Sequence, residues 1–184
     1  WVHFAWGNDH SYRTFAFQIL ILLHSFSYTL NQLDEVAQRL LQEAGEEKVW
    51  VFKGQMGAGK TTLIKSLAKA LQVEDQVSMP SFGIVNEYQT QSKGLIFHFD
   101  FYRLDDPMEA LDIGIEEYFY SGNYCWLEWA ENIAAFLPER FFLIELTLES
   151  ETGRLLTLHH HQDGHWIVWN CRSGIDPERI SCFT

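Results

Sequence analysis

Basic residues are scarce in this chain of 184 residues, and so are cysteines and long apolar runs. Only 13 Lys and Arg side chains stand against 25 Asp and Glu, which gives a formal net charge of −12. Contacts to a phosphate backbone need clustered basic side chains, so the composition argues against a domain that grips DNA or RNA unaided. If RNA is involved, we expect a partner to hold it.

The three cysteines, Cys125, Cys171 and Cys182, have no paired spacing. This excludes a disulfide framework and a zinc motif, and it favours a reducing compartment. The apolar run from Phe15 to Leu23 is interrupted by Gln18 and is too short to span a bilayer. We therefore expect a cytoplasmic protein without a membrane span.

The length suits one domain, and 47% hydrophobic residues suffice for a sizeable core. Neither an internal repeat nor a low-complexity linker divides the chain. The two ends differ from the middle in character, with an apolar run at the start and scattered Trp, Gly and His at the end. We interpret residues 1–26 as an N-terminal extension, 27–160 as the domain and 161–184 as a C-terminal tail.

Four histidines lie close together near the end of the chain: His159, His160, His161 and His165. Histidine is a common metal ligand, but no Cys or carboxylate completes a standard ligand spacing here. We therefore interpret the cluster as solvated or strand-end side chains in preference to a metal site. The segment from His159 onward is predicted to be peripheral.

One octapeptide carries most of the functional information: Gly54-Gln55-Met56-Gly57-Ala58-Gly59-Lys60-Thr61. It fits the phosphate-binding pattern G-x-x-x-x-G-K-[ST], in which backbone N–H groups surround phosphates, the lysine adds a point charge and the hydroxyl ligates Mg²⁺. The apolar run from Val49 to Phe52 predicts a buried strand before it. Apolar residues at helical spacing from Leu63 to Leu71 predict a helix after it. A nucleoside triphosphate is the expected ligand, and the adjacent Thr62 belongs to the expected site.

Further patterns predict the rest of the fold. Asn31 is a plausible N-cap for a helix with an apolar face from Leu33 to Ala44, and Gly45 is its stop signal. Apolar runs predict four later strands, at residues 95–99, 124–127, 141–148 and 155–158. Strands that first alternate with helices and then follow one another predict an α/β fold, a P-loop NTPase-like sandwich with a mixed, mainly parallel sheet flanked by helices.

Two predicted strands end in a carboxylate, Asp100 in one case and Glu128 in the other. Ligands of open α/β sheets bind at the carboxyl ends of the strands. A phosphate-loop enzyme also needs an acidic group near Mg²⁺ to hold the metal and order its waters. Both carboxylates are therefore candidates, and a GTPase, a small-molecule kinase and an ATPase switch all fit this pattern.

The alternatives differ in what else they require. A guanine-reading Asn-Lys-x-Asp signature is missing, because no Asn in the chain is followed by Lys. A kinase usually clamps its second anionic substrate with arginines, yet only Arg103, Arg140 and Arg154 lie between residues 80 and 160. A small-molecule kinase with Asp100 as acceptor-orienting base remains open. A nucleotide-gated binding module that needs no hydrolysis remains open as well.

Beyond the loop, an ordered set of unusual segments occupies residues 79–82, 98–104, 111–119 and 126–129: Met-Pro-Ser-Phe, His-Phe-Asp-Phe-Tyr-Arg-Leu, Leu-Asp-Ile-Gly-Ile-Glu-Glu-Tyr-Phe and Trp-Leu-Glu-Trp. In order and spacing they resemble the bacterial TsaE (YjeE) family over about residues 27–158. The resemblance implies a small P-loop ATPase needed for N6-threonylcarbamoyladenosine modification of tRNA position 37. Such a protein binds the TsaD and TsaB pair and reaches tRNA only indirectly, through that complex.

The resemblance also implies roles for individual residues. Gly54 to Thr61 would bind the ATP phosphates, with Lys60 contributing to catalysis. Thr61 and Glu128 would be the Mg²⁺ ligands, and Asp100 and Glu128 would be catalytic. A metal held by a hydroxyl and a carboxylate neutralises phosphate charge, while a second carboxylate can orient the attacking water.

The resemblance extends to a switch segment and to an arginine. Residues 79–82 correspond to the family's S-P-T-[YF] stretch, but Met79 replaces the usual serine and removes a hydroxyl. Ser81 replaces a threonine and keeps the hydroxyl, so it is a candidate for contact with the nucleotide or its metal shell. Arg154 aligns with a family arginine that approaches the nucleotide.

Overall fold

The computed structural model of the chain describes residues 18–73, 83–91 and 94–163. Within these ranges, the strands are β1 (Gln18–Thr29), β2 (Val49–Lys53), β3 (Val85–Gln89), β4 (Leu95–Asp100), β5 (Tyr124–Glu128), β6 (Arg140–Leu148) and β7 (Gly153–Asp163). The α-helices are α1 (Leu33–Glu43), α2 (Lys60–Ala70), α3 (Met108–Asp112) and α4 (Ile115–Phe119). Two 3₁₀ segments cover Leu30–Gln32 and Ala130–Phe136. No helix in the described ranges is long and apolar enough to cross a membrane.

The described strands form one sheet in the order β1-β7-β6-β2-β5-β4-β3. Parallel pairing joins β2 to β5 and β6, and β4 to β5. At one side β7 is antiparallel to both β1 and β6, and at the other edge β3 is antiparallel to β4. Thus β1, β2, β4, β5 and β6 run in one direction, while β3 and β7 run in the other. The predicted mixed, mainly parallel sheet is confirmed.

One face of the sheet packs against α1 and α2. Large aromatic side chains from the central strands fill this layer, and Trp50, Phe52 and Trp126 are fully buried. The ring of Trp50 meets the ring of Phe142 edge-on at 5.3 Å, and its indole N–H donates to the carbonyl oxygen of Glu47 at 2.8 Å. Burying rings of this size stabilises the sheet–helix contact, since each aromatic side chain removes a large apolar area from water.

The opposite face packs against α3, α4 and the 3₁₀ segment Ala130–Phe136. Alternate residues of the same strands supply this second core, as expected for strands covered on both faces. Phe99 stacks on Phe101 at 5.6 Å, and Phe97 meets Tyr118 edge-on at 4.7 Å. The architecture is therefore a three-layer α/β/α sandwich, and it explains why the inner strands are mainly apolar.

The start of α1 differs from the prediction. Asn31 was expected as its N-cap, but this residue lies inside the 3₁₀ segment and the helix begins at Leu33. Thr29 donates from its backbone N–H and its hydroxyl to Oε1 of Gln32, at 2.9 and 3.0 Å. Because these bonds close a tight turn first, the helix begins at Leu33, one residue later than it would with Asn31 as its N-cap. The stop at Gly45 is confirmed by its left-handed backbone, with φ of 59°.

The predicted boundaries at residues 26 and 160 both fall inside paired strands. β1 and β7 stay paired from Gln18 opposite Asp163 to Thr29 opposite Gly153, with one irregularity between Leu22 and His24. This pairing joins segments that are more than a hundred residues apart in sequence, so no local sequence pattern predicts it. Residues 1–17 and 164–184 lie outside the described residues, and their assignment as extension and tail stays a prediction.

The first three histidines of the predicted cluster belong to β7. His159 Nε2 lies 3.1 Å from Oε2 of Glu145, and the His161 ring stacks on Phe141 at 4.2 Å. His160 points to the other face, as strand alternation requires. The prediction of a peripheral segment from His159 onward is wrong for these residues, because β7 lies between β1 and β6 and two of the rings are buried. His165 lies outside the described residues.

Cys125 offers a chemical test of the packing. Its side chain is fully buried in β5, its Sγ lies 3.2 Å from the carbonyl oxygen of Tyr118, and burial raises the pKa of the thiol to about 12. Thiolate is the reactive form. In the double variant Cys171→Ser/Cys182→Ser, we expect almost no reaction with a disulfide reagent at pH 8 in the native state. One thiol per chain should react after unfolding, and rapid native reaction would contradict the buried position of β5.

Candidate functional site

The phosphate-loop segment runs from the end of β2 to the first turn of α2, as predicted. Gly59, directly before Lys60, has a φ of 105°, a left-handed conformation that favours glycine. A Cβ on Gly54 would lie 2.7 Å from the backbone oxygen of Leu146, so the close approach of loop and β6 requires glycine. The first N–H groups of α2 have no intrahelical acceptors, and this end of a helix is a ready anion site.

The other predicted loop residues surround this helix start. Gln55, Met56 and Gly57 form an exposed tip, whereas Ala58 is buried against the core. Thr62 is exposed on the first turn of α2. The loop is thus anchored at Ala58 and exposed at its tip.

Lys60 is folded back onto the loop. Its Nζ donates to the carbonyl oxygens of Gly54 and Gln55 at 2.8 and 3.2 Å, and it lies 4.4 Å from the centre of the Trp129 ring. Only 5% of the residue is exposed. Burial lowers the pKa of Lys60, and neighbouring carboxylates, Glu128 foremost, partly offset this. The ammonium group therefore sits within the loop, next to the helix N-terminus.

Thr61 and Glu128 are in direct contact. The Thr61 hydroxyl lies 3.1 Å from Oε1 and 3.2 Å from Oε2 of Glu128, although 67 residues separate them in sequence. Glu128 is 2% exposed, and its Oε1 also lies 3.0 Å from Nε2 of the fully buried His98. The structure therefore brings together the two residues that were predicted as metal ligands, and it adds a histidine to them.

Asp100 lies at the same edge of the sheet. It is opposite Glu128 in the parallel register of β4 and β5, and its Oδ1 accepts the backbone N–H of Tyr102 at 3.0 Å. Burial raises the pKa of Asp100, and the hydrogen bond from Tyr102 works in the other direction. The negative charge of Glu128 raises this pKa further. The carboxyl ends of β4 and β5 thus place two carboxylates beside the loop, as the strand-end argument predicted.

Arg154 reaches the loop from β7. Its Nε donates to the carbonyl oxygen of Ala58 at 3.0 Å, and Nη1 lies near the carbonyl oxygens of the β6–β7 turn, 3.1 Å from that of Gly153. A Cβ on Gly59 would lie 3.7 Å from the same Nε. Arg154 therefore contacts the backbone of the phosphate loop. Ser81 and Met79 lie outside the described residues.

Two features of the site are not predicted from the sequence. His98 was read only as part of a segment, although its spacing of two residues from Asp100 places both on the same face of β4. The backbone of Trp129 was also not foreseen: its φ of 58° is unusual for a large side chain, and its ring packs against Tyr102 at 4.9 Å. Trp129 follows directly after the last residue of β5, Glu128, and this backbone conformation places its ring against Lys60.

The side chains present fit a magnesium nucleotide. Mg²⁺ prefers oxygen ligands and, in nucleotide sites, binds one or two protein groups together with phosphates and water. Thr61 and Glu128 supply such oxygens at a point where a hydroxyl and a carboxylate already touch. The adjacent helix N-terminus and Lys60 supply the positive charge that phosphates need. The arrangement suits the binding of a polyphosphate at the carboxyl edge of the sheet.

The chain is similar in sequence to proteins of one known family. A family described as threonylcarbamoyl adenosine biosynthesis protein TsaE matches residues 27–156. The tRNA threonylcarbamoyladenosine biosynthesis protein TsaE of Haemophilus influenzae is 37% identical over 111 residues, which cover 60% of this chain and 70% of that protein. Its namesake from Treponema pallidum is 33% identical over 123 residues, covering 67% and 87%.

A solved structure agrees with these relatives. The crystal structure of Bacillus subtilis YdiB has a TM-score of 0.55 and 25% sequence identity, and the likeness covers 80% of this chain and 88% of that one. The matched region contains the phosphate loop, the two strand-end carboxylates and the strands that carry them. The chain belongs to the TsaE family of proteins of tRNA threonylcarbamoyladenosine biosynthesis.

Proposed function

We propose that this protein binds and slowly hydrolyses ATP with Mg²⁺, and that it acts on TsaD-like and TsaB-like proteins in the N6-threonylcarbamoyladenosine modification of tRNA position 37. The observation that carries the proposal is the contact of Thr61 with Glu128 at the start of α2. It joins a phosphate loop to a buried carboxylate in a chain of the TsaE family. Membership of this family supports a role in this tRNA modification, and the geometry of the site supports the binding of a magnesium nucleotide.

The loop binds the phosphates of ATP. Backbone N–H groups of residues 54–61 and the N-terminus of α2 donate to phosphate oxygens. Lys60 leaves the carbonyl oxygens of Gly54 and Gln55, which it occupies here, and turns its ammonium group to the β- and γ-phosphates. The loop carbonyls hold Lys60 near its working position before the ligand arrives, so little side-chain conformational freedom is lost on binding.

Thr61 and Glu128 would hold Mg²⁺, with the remaining positions left to phosphate oxygens and water. Held there, Mg²⁺ would neutralise negative charge on the phosphates. Asp100, on the neighbouring strand, orients the attacking water and accepts its proton. Lys60 contributes by stabilising the negative charge that develops on the phosphate oxygens, and Glu128 contributes by holding Mg²⁺.

Hydrolysis by the protein alone should be slow. Transition-state charge in phosphoryl transfer is often compensated by an arginine, which is worth several orders of magnitude. Arg154 is engaged with backbone carbonyls, its Nε with that of Ala58 and its Nη1 with that of Gly153. We therefore propose that the missing charge, or a shift of the loop that frees Arg154, comes with the partner proteins.

The charge of the chain supports protein partners over direct contact with nucleic acid. A net charge of −12 repels a phosphate backbone, and it suits docking on a basic protein surface. Contact with tRNA is accordingly indirect, through the complex, and DNA is not a partner. Because tRNA modification of this kind takes place in the cytoplasm, we place the protein there.

Two measurements on the full chain test this function. Inorganic phosphate release is followed with and without TsaD-like and TsaB-like proteins, and a pull-down of these partners is done with and without ATP. We expect slow release alone and a rise of at least about tenfold with both partners. Absence of both stimulation and ATP-dependent pull-down would contradict the proposal. Transfer of phosphate to a metabolite, in place of phosphate release, would favour a kinase.

Arg154 gives a further prediction. Replacing it by alanine removes the hydrogen bond from Nε to the carbonyl oxygen of Ala58 and frees the loop at its buried end. One hydrogen bond from a charged group contributes about 1.5 to 3 kcal/mol, so affinity for ATP should fall by about tenfold or more. Calorimetric titration measures this. Arg140→Ala is the matched control, since Arg140 is mostly exposed and pairs with Glu47 away from the loop.

A further inference from the structure

His98 makes a contact that the proposed chemistry does not yet use. The side chain is fully buried in β4, and its Nε2 lies 3.0 Å from Oε1 of Glu128. Glu128 is itself 2% exposed. Two polar side chains buried this completely are costly unless they satisfy one another, so the contact is a fixed part of the structure.

The contact defines where the imidazole proton lies. An ionised carboxylate only accepts hydrogen bonds, so Nε2 of His98 must donate to Glu128. No described residue hydrogen-bonds to Nδ1 of His98, which is buried. A buried N–H without an acceptor is more costly than a free lone pair, and the favoured form therefore carries its proton on Nε2.

The same contact limits the rotation of Glu128. Oε1 accepts from His98, and both carboxylate oxygens lie within 3.2 Å of the Thr61 hydroxyl. Turning the carboxylate toward another direction would break the bond to His98 and leave Nε2 buried without a partner. The imidazole thus holds Glu128 so that its free lone pairs face Thr61 and the phosphate loop.

We propose that His98 is a positioning residue that orients Glu128 for a divalent cation. This inference rests on the proposed function, because it assigns Glu128 as a ligand of Mg²⁺. Outer-shell hydrogen-bond partners of this kind fix the orientation of a ligating carboxylate, and their loss typically weakens metal affinity tenfold to a hundredfold. His98 does not contact the reacting atoms.

The chain supplies its own control for a purely structural role. His159 makes the same type of contact, with Nε2 at 3.1 Å from a carboxylate oxygen of Glu145. Its side chain is 11% exposed, and its Nδ1 is also without a partner among the described residues. Glu145 pairs with Lys53 on the face of the sheet opposite to α2. Removing His159 thus breaks a histidine–carboxylate contact without touching Thr61 or Glu128.

The test measures metal dependence instead of turnover. A non-hydrolysable ATP analogue is titrated by calorimetry into the full chain, first in EDTA and then at increasing Mg²⁺, for the parent and for His98→Leu, His98→Gln and His159→Leu. For His98→Leu we expect about a tenfold or larger rise in the Mg²⁺ concentration at half effect, with affinity in EDTA within about twofold of the parent. His98→Gln retains an amide donor near Nε2 and should stay within about threefold, and His159→Leu should match the parent.

Each outcome has a defined meaning. If the nucleotide affinity of the parent protein does not change with Mg²⁺ concentration, the proposed function and this inference are both overturned. A Mg²⁺-dependent parent with an equally dependent His98→Leu would overturn the inference alone, and so would a His98→Gln variant as weak as His98→Leu. If the leucine variant does not fold, nitrogen NMR of histidine in the parent decides. A proton on Nε2 that persists when Mg²⁺ and the analogue bind is expected, whereas a proton on Nδ1 alone would overturn the assignment.

Discussion

Lys60→Ala is expected to weaken ATP binding about 100-fold, which corresponds to about 3 kcal/mol. The ammonium group is placed by two loop carbonyls and by the Trp129 ring, beside the N-terminus of α2. Alanine removes the charge from the point where the phosphates bind. It also removes the bonds from Lys60 to the carbonyl oxygens of Gly54 and Gln55, which close the loop on itself. Calorimetric titration with ATP and Mg²⁺ measures the change.

Lys65→Ala is the matched control for this variant. Lys65 lies on the same helix, five residues further along, and its side chain is exposed. The same substitution there leaves the loop intact, so ATP affinity should remain within about twofold, as usual for surface positions. Equal ATP affinity of the Lys60→Ala variant and the parent, with both folded, would show that the loop does not bind the phosphates.

Asp100→Asn is expected to reduce partner-stimulated ATP hydrolysis about 100-fold while leaving ATP binding within about threefold. Asparagine keeps the side-chain oxygen that accepts the N–H of Tyr102, so the turn after β4 is preserved. It loses the negative charge that orients water and accepts its proton. Phosphate release in the presence of both partners measures the effect. Asp112→Asn, an exposed substitution on α3, is the control and should change neither quantity.

The pH dependence of hydrolysis gives the same residue a second signature. Burial raises the pKa of Asp100, so its ionised fraction declines at a higher pH than that of an exposed aspartate. The ionised form is the active one in this mechanism. The rate should therefore fall on acidification, with the midpoint above the ordinary aspartate range. In Asp100→Asn the remaining rate should no longer fall on acidification in this way. If the same fall persists in this variant, another group causes it.

The Asp100→Asn variant also separates the functions that remained open in the sequence. If ATP served only as a structural ligand, loss of hydrolysis would leave tRNA modification intact. If hydrolysis sustains turnover of the partner complex, modification should fall with the rate of phosphate release. A kinase would instead lose transfer to its acceptor.

The inner part of the fold was predictable because its signals are local. β2, β4 and β5 are buried on both faces, so their inner residues are mainly apolar, with His98 as the polar side chain inside β4. The glycine pattern of the loop fixes the connection from β2 to α2. Asp100 and Glu128 could be placed at one edge because the carboxyl ends of parallel strands meet there.

The outer part depends on pairing between distant segments. β1 and the polar end of β7, from His159 to Asp163, form strands because they pair with each other, and β7 also pairs with β6. Nothing in their own composition requires this. The contact of His98 with Glu128 likewise depends on the register of β4 against β5, which a single sequence does not reveal. The start of α1 was displaced by a local bond from Thr29 to Gln32 that competes with the Asn31 cap.

The most direct test of the account is the amount of N6-threonylcarbamoyladenosine in tRNA from a bacterial strain depleted of its own TsaE-family protein. Nucleosides from digested tRNA are quantified by mass spectrometry after expression of the full chain, with Lys60→Ala and Lys65→Ala beside it. We expect that the parent chain and Lys65→Ala restore the modified nucleoside, and that Lys60→Ala does not. A parent chain that is folded and binds ATP, yet leaves the modification at the depleted level, would contradict it.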